Sequence, residues 1–179
     1  GSMKRGYFTP QNALKIDGIR SAIEDLKPQI PPKLYTALLV SLLDASDRVA
    51  NVASVYGSYL KKLKFTATQD LNLRECPSID FKNAKVYNME GLELLGKIQG
   101  DILYLDPPYN HRQYGLNYHV LNAIAKGGVQ TPRGKSGFDD YYRSRWCQRR
   151  YVEDELKKTI DRANFRFIAM SYNSEGLLQ

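Results

Sequence analysis

Apolar positions in the first third of the chain recur at helical spacing. Leu14, Ile16, Ile19, Ile23 and Leu26 predict an amphipathic helix over residues 10–27, and Pro28, Pro31 and Pro32 end it. From Lys33 to about Phe65 the positions of Leu34, Leu38, Leu42, Val49, Val52, Val55, Tyr59 and Leu63 predict one long helix, or two broken near Gly57. Ala45, Ser46, Ala50, Ala53 and Ser54 leave room for close packing against another element. Asp47, Arg48 and Asn51 fall at nearby helical positions, where an internal polar network is a commoner use than ligand contact.

The period then changes. Residues 66–83 are polar, hold Cys76-Pro77 and read as a connector. Residues 84–87 predict a short strand closed by Asn88-Met89-Glu90, and 89–98 a crossover helix with Leu92, Leu94, Leu95 and Ile98 inward. The apolar run 101–105 after Gly100 predicts a second strand, which makes a parallel, right-handed βαβ unit. A helix over Leu116–Ala125 follows, then a long loop marked by Gly127, Gly128, Pro132, Gly134 and Gly137. A helix from about Val152 to Ala163 leads into a third strand, Phe165–Ser171.

A chain of 179 residues fits one domain, or one with a helical appendage. Gly1-Ser2-Met3 reads as a remnant of cloning. No apolar run reaches membrane-spanning length and no signal peptide is legible, so a cytoplasmic setting is the default. Cys76 and Cys147 are too few for a disulfide framework or zinc site, and His111 and His119 lack companion ligands, so no metal is expected. A formal charge of +7 and a pI near 9.3 favour a polyanionic partner. The thirteen tyrosines could stack on bases or simply pack a core.

The most informative stretch is Asp-Ile-Leu-Tyr-Leu-Asp-Pro-Pro-Tyr-Asn over residues 101–110. Asp106 falls at the carboxyl end of a predicted strand, where open α/β sheets bind ligands. Pro107 and Pro108 stiffen the backbone, and Tyr109 adds a flat ring. A carboxylate, a rigid carbonyl and an aromatic face suit a planar base with an exocyclic amine; a strand-ending Pro-Pro turn is the alternative.

This stretch resembles the DPPY motif of the adenine-N6 DNA methyltransferases. The resemblance extends to Tyr109-Asn110-His111-Arg112-Gln113-Tyr114 with Asn117-Tyr118-His119, to Val49-Ala50-Asn51 with Val55-Tyr56-Gly57, to Tyr141-Tyr142-Arg143-Ser144 and to residues 165–177. It implies that Asp106 and Pro107 accept hydrogen bonds from the adenine amine and that Tyr109 stacks on a base extruded from double-stranded DNA. Pro108 completes the motif. Ser171, Tyr172 and Asn173 would line the base pocket, and Asn110, Arg112 and Gln113 would lie against the target or its neighbours. Asn88 and Asp106 would border S-adenosylmethionine, the methyl donor. Arg133, Lys135, Arg143, Arg145, Arg149 and Arg150 lie among Tyr141, Tyr142, Trp146 and Tyr151, a DNA-contacting composition near 127–151. Ion pairing with Asp139, Asp140, Glu153, Asp154 and Glu155 is the alternative use of those arginines.

The family fold also holds the cofactor in a Gly-rich loop after its first strand. Here Gly127-Gly128 follows a helix and Gly134-x-x-Gly137 lies in a loop, so neither matches. The expectation is therefore an α/β chain: a partial Rossmann-like methyltransferase sheet of about three parallel strands over 84–179, after a helical segment over 4–66 and a connector over 67–83. Such a half-sheet would expose an edge and an apolar face, favouring self-association or pairing with a complementary N-terminal fragment. It would be inactive without its cofactor-binding segment. A non-catalytic DNA-binding module, a methyltransferase acting on RNA or a protein amide, and an inhibitory fragment are the other readings.

Overall fold

The computed structural model describes residues 5–75, 84–128 and 131–178. The chain forms two compact units, Gly1–Ile79 with Tyr114–Tyr141, and Asp80–Gln113 with Tyr142–Gln179. The loop predicted near 127–151 is divided between them.

The first unit is helical. Helix α1 (Pro10–Leu26) starts where the pattern predicts, because Thr9 Oγ1 accepts the Asn12 amide at 3.2 Å and Pro10 occupies the first turn. Its buried stripe is narrower than its apolar pattern: Ile16 and Ile23 are buried, whereas Leu14 is 74 % exposed. Asn12 is buried among them. Its Nδ2 donates to the Gln69 carbonyl at 2.8 Å and its Oδ1 accepts the Leu71 amide at 3.0 Å, which ties the returning chain to the helix.

Helix α2 (Pro32–Arg48) packs on α1 and ends well short of Phe65, correcting the long helix predicted there. The cause is Asn51. Its backbone N–H donates to the Tyr7 carbonyl at 2.8 Å and its carbonyl accepts the Leu60 amide at 2.9 Å. Its side-chain Nδ2 donates to the Gly6 and Leu60 carbonyls at 3.0 Å each, and its Oδ1 accepts the Lys64 amide at 3.1 Å. One buried amide thus takes over the hydrogen bonding that a helix would have supplied. Of the residues predicted to share an internal polar network, Asn51 alone is buried: Tyr56 donates to exposed Asp47 at 2.7 Å, and Arg48 pairs with exposed Asp44.

The helix predicted over Leu116–Ala125 is two helices, α4 (Tyr114–Asn117) and α5 (His119–Lys126). The Asn117 carbonyl accepts the Tyr56 amide at 2.7 Å and so is diverted from the helical ladder. Gly127, at φ 81°, ends α5 in the left-handed region that glycine tolerates, and Arg20 donates to the Ile124 and Ala125 carbonyls at 3.0 and 3.2 Å. Two adjoining clusters form the core: Ile16, Ala45, Val49 and Leu71, and Tyr7, Ala50, Val52 and Tyr56.

His119 is buried beside the second cluster, its Nε2 2.9 Å from the Tyr56 carbonyl and 3.2 Å from the Tyr7 hydroxyl. Burial holds its pKa below the ordinary 6.5; the Tyr56 carbonyl opposes this and the Arg5 charge adds to it. The unfolded chain therefore binds a proton that the folded chain resists. Stability from this group is present above pH 6.5 and falls as the pH drops below it. The melting temperature is expected to decline between pH 7 and pH 5, and His119→Gln to flatten that decline; an unchanged slope in the variant would refute the assignment.

The second unit holds α3 (Gly91–Leu95), β1 (Gly100–Leu105), α6 (Arg149–Arg162) and β2 (Phe165–Met170). Strands β1 and β2 pair in parallel, from Gly100↔Phe165 to Leu105↔Met170, and the Ser171 amide donates to the Leu105 carbonyl at 2.9 Å. Three parallel strands are predicted; the described residues hold two. Residues 84–87 make no ladder among the described residues, and Val86 is 94 % exposed there. The crossover helix predicted over 89–98 contracts to the five residues of α3. Helix α6 starts at Arg149, earlier than predicted, and buries Val152, Glu155 and Thr159.

Candidate functional site at the end of the first strand

β1 is an apolar run that the parallel ladder fixes in register, and it delivers Asp106 at its carboxyl end. Asp106 is exposed, and its carboxylate makes no hydrogen bond or ion pair among the described residues. The Pro107 carbonyl is likewise unpaired among them, while Pro107 and Pro108 are half-buried. Two hydrogen-bond acceptors are therefore held open on a stiff backbone. The Tyr109 ring is 43 % exposed, and its backbone carbonyl accepts the Leu177 amide at 2.9 Å.

Asp106, Pro107 and Pro108 open onto a cavity of about 440 Å³ whose walls include Glu90, Leu92, Leu95, Leu103, Tyr142 and Trp146. Tyr142 donates its hydroxyl to Glu90, and that bond pushes its pKa up to about 12, with a smaller contribution from burial. Glu155, buried on α6, binds Arg145 Nε at 2.8 Å. Segment 142–147 is fastened in three further ways. Gln113 Nε2 donates to the Ser144 carbonyl at 3.1 Å, Gln113 Oε1 accepts the Ser144 amide at 2.8 Å, and the buried Cys147 thiol donates to the Arg112 carbonyl at 3.4 Å. Burial raises the pKa of that thiol, which keeps it protonated.

The other predicted residues divide into those beside Asp106 and those elsewhere. Ser171, Tyr172 and Asn173 leave β2 next to the end of β1. The Tyr172 hydroxyl accepts the Leu177 and Leu178 amides at 3.2 Å each, and Asn173 Oδ1 accepts the Glu175 amide at 2.7 Å, so both side chains build the turn. Asn110 Oδ1 accepts the Arg112 amide at 2.9 Å, Arg112 is exposed, and Asn88 is exposed just before α3. Of the predicted DNA-contacting arginines, Arg145 binds Asp154 and Glu155 and lies 4.3 Å over the Tyr151 ring. Arg150 lies 4.4 Å over the same ring. Arg143 and Arg149 are exposed and engaged by neighbours. Arg133 and Lys135 belong to the first unit, where Arg133 pairs with Asp140 at 2.9 Å and Lys135 is exposed. Sequence reasoning passed over Glu155 and Thr159, ordinary helical polar residues until packing buries them, and Glu90, the exposed residue before α3, as pocket residues.

A larger cavity of about 760 Å³ in the first unit, walled by Asp17, Arg20, Glu24, Lys27 and Tyr35, has its central charge satisfied. Glu24 takes hydrogen bonds from Lys27, Arg20 and Tyr35, which lower its pKa to about 2. Its Glu24 carboxylate is therefore fully engaged, in contrast to the open Asp106 carboxylate at the end of β1. No group of His, Cys, Asp and Glu among the described residues could hold a metal ion, and no described helix is long and apolar enough to cross a membrane.

The sequence profile of the D12 class N6 adenine-specific DNA methyltransferase family matches residues 2–178. The chain is 45 % identical over 178 residues to the type II methyltransferase M.NlaIII of Neisseria lactamica, covering 98 % of this chain and 53 % of that protein. It is 40 % identical over 183 residues to the type II methyltransferase M.FokI of Planomicrobium okeanokoites, covering 98 % of this chain and 28 % of that protein. It is 39 % identical over 179 residues to the type II methyltransferase M.CviAII of Paramecium bursaria Chlorella virus 1, covering 97 % of this chain and 53 % of that protein. The chain thus spans about half the length of two of these curated relatives and a smaller share of the third. No solved structure gives a significant match. On a match that runs from one end of the chain to the other and includes the strand-end Asp-Pro-Pro-Tyr, the chain belongs to the D12 class of N6 adenine-specific DNA methyltransferases.

Proposed function

We propose that this chain carries the target-base site of an adenine-N6 DNA methyltransferase of restriction–modification type. The observation that carries this reading is the pair of unpartnered acceptors at the end of β1, the Asp106 carboxylate and the Pro107 carbonyl, next to exposed Tyr109. The lone pair of adenine's amine is delocalised into the ring, which makes it a weak nucleophile. Acceptors on both amine hydrogens favour the more tetrahedral nitrogen, whose lone pair can attack carbon. The Pro-Pro backbone keeps the two acceptors at fixed separation while this happens. Extruding the base costs a few kcal/mol, and stacking on Tyr109 returns about 1–3 kcal/mol of it. Ser171, Tyr172 and Asn173 border the base, with Asn110 and Gln113 holding the surrounding loops. Arg112, Lys135, Arg143 and Arg149 contact phosphates, whereas Arg133 and Arg145 exchange their carboxylate partners to do so.

S-adenosylmethionine, when bound, supplies the methyl group as a sulfonium. The cavity fits part of this cofactor: Asp106 and Glu90 are acidic against its positive charge, and Leu92, Leu95 and Leu103 give an apolar wall for its purine. Asn88 stands just before this wall. Its methionine end calls for backbone amides, and among the described residues no glycine-rich turn follows a strand. That cradle comes from beyond the described residues, and exposed Ile102, Tyr104 and Phe167 offer apolar surface against which the segment carrying it can pack. The test is nucleoside analysis of double-stranded DNA after incubation with labelled S-adenosylmethionine and the complementing segment. N6-methyladenine is expected; label in cytosine, RNA or protein with none in adenine would overturn the reading.

A further inference from the structure

We propose that the turn Leu60–Lys64 in the first unit is a preformed contact for the phosphate backbone of duplex DNA, which rests on the DNA-directed reading above. Five basic side chains of that unit are ion-paired. Lys15 pairs with Asp70, Arg20 and Lys27 with Glu24, Arg48 with Asp44 and Arg133 with Asp140. Lys61 and Lys62 are exposed and have no ion pair among the described residues. No acidic residue occurs between Asp47 and Asp70 in the sequence, so local neutralisation is unavailable to them.

The turn is also held in shape before any partner arrives. Asn51 grips both of its ends: the backbone and side chain of Asn51 bind Leu60 at 2.9 and 3.0 Å, and Asn51 Oδ1 binds the Lys64 amide at 3.1 Å. Lys64 Nζ is drawn back onto the Val52 carbonyl at 2.9 Å, so it braces the turn while Lys61 and Lys62 project from the tip. A rigid tip loses little conformational freedom on docking. Leu63 and Phe65, 51 % and 79 % exposed, flank the two cations with apolar surface that can lie against sugar rings. A duplex offers phosphates at regular spacing, which suits two adjacent ammonium groups at fixed positions.

The test is fluorescence anisotropy of a labelled duplex titrated with the chain at several salt concentrations, for the parent, Lys61→Ala/Lys62→Ala and Lys61→Arg/Lys62→Arg. The alanine pair is expected to weaken binding roughly tenfold at moderate salt and to reduce the salt slope by about 2, while the arginine pair retains both. Equal affinity and slope in parent and alanine pair would overturn the proposal. So would loss of binding to an acidic protein or to single-stranded RNA with duplex binding untouched. Thermal melting of both variants confirms that the exposed tip can change without unfolding the unit. The methylation reading stands or falls on the modified base recovered, so its failure is distinguishable from that of the tip.

Discussion

Asp106→Ala is expected to lower methylation of adenine in duplex DNA by about 10²–10³-fold, the range seen when one preorganised hydrogen-bonding group is removed from a transition state. The substitution removes a charged acceptor from the amine nitrogen at the point where positive charge develops on it. The side chain is exposed and makes no bond among the described residues, so its loss should leave the unfolding free energy within about 0.5 kcal/mol of the parent. Duplex binding should survive as well, since phosphates supply most of the affinity. Asp106→Asn is the sharper variant. It keeps one acceptor oxygen but presents either that oxygen or an NH₂ donor, so activity should fall less than in alanine while remaining well below the parent. Initial rates of label transfer, measured with the complementing segment and saturating DNA and donor, check both. Methylation by Asp106→Ala at the parental rate would dismiss the site.

Asn51→Ala is expected to cost about 3–5 kcal/mol of stability. Asn51 is 1 % exposed, and three backbone groups depend on its side chain: the Gly6 and Leu60 carbonyls and the Lys64 amide. Each buried polar group left unpaired costs about 1–3 kcal/mol, and a small cavity adds to the sum. With a margin of only about 5–15 kcal/mol for a typical domain, much of the unit's stability would go. Asn51→Asp is informative beside it. The acceptor for Lys64 is kept, but the donor to two carbonyls becomes a second acceptor, so the variant should remain strongly destabilised. Urea denaturation followed by circular dichroism measures both; a loss below about 1 kcal/mol in the alanine variant would show that water replaces the amide.

The helix over residues 10–27 and the strands at 101–105 and 165–171 were legible because each follows from local rules. Thr9 and Pro10 signal a helix start, and a short apolar run between Gly100 and two prolines has few conformations open to it. The break after Arg48 was not legible. Residues 49–63 keep a helical apolar pattern, yet Asn51 bonds across to Gly6 and Leu60, and no local rule foresees a partner so far away in the chain. The same reason divides the helix after Tyr114, where Tyr56 captures the Asn117 carbonyl. The strand predicted at 84–87 failed in the other direction. Its composition allows a strand, but extended chain becomes a strand only where a neighbour accepts its hydrogen bonds.

At the candidate site the sequence alone determined the chemistry: an acid, a rigid carbonyl and an aromatic ring in consecutive positions, on a chain whose +7 charge favours a polyanion. Those residues are adjacent along the backbone, so covalent geometry brings them together. Tertiary structure decided the rest. Glu90, Tyr142 and Trp146 come to one cavity with Asp106, while Arg145 is occupied by Asp154 and Glu155 and Lys61 and Lys62 are left without an ion pair among the described residues. Which charges meet and which stay free depends on distances that only packing sets, because electrostatic pairing falls off over a few ångströms whereas separation along the chain does not constrain it.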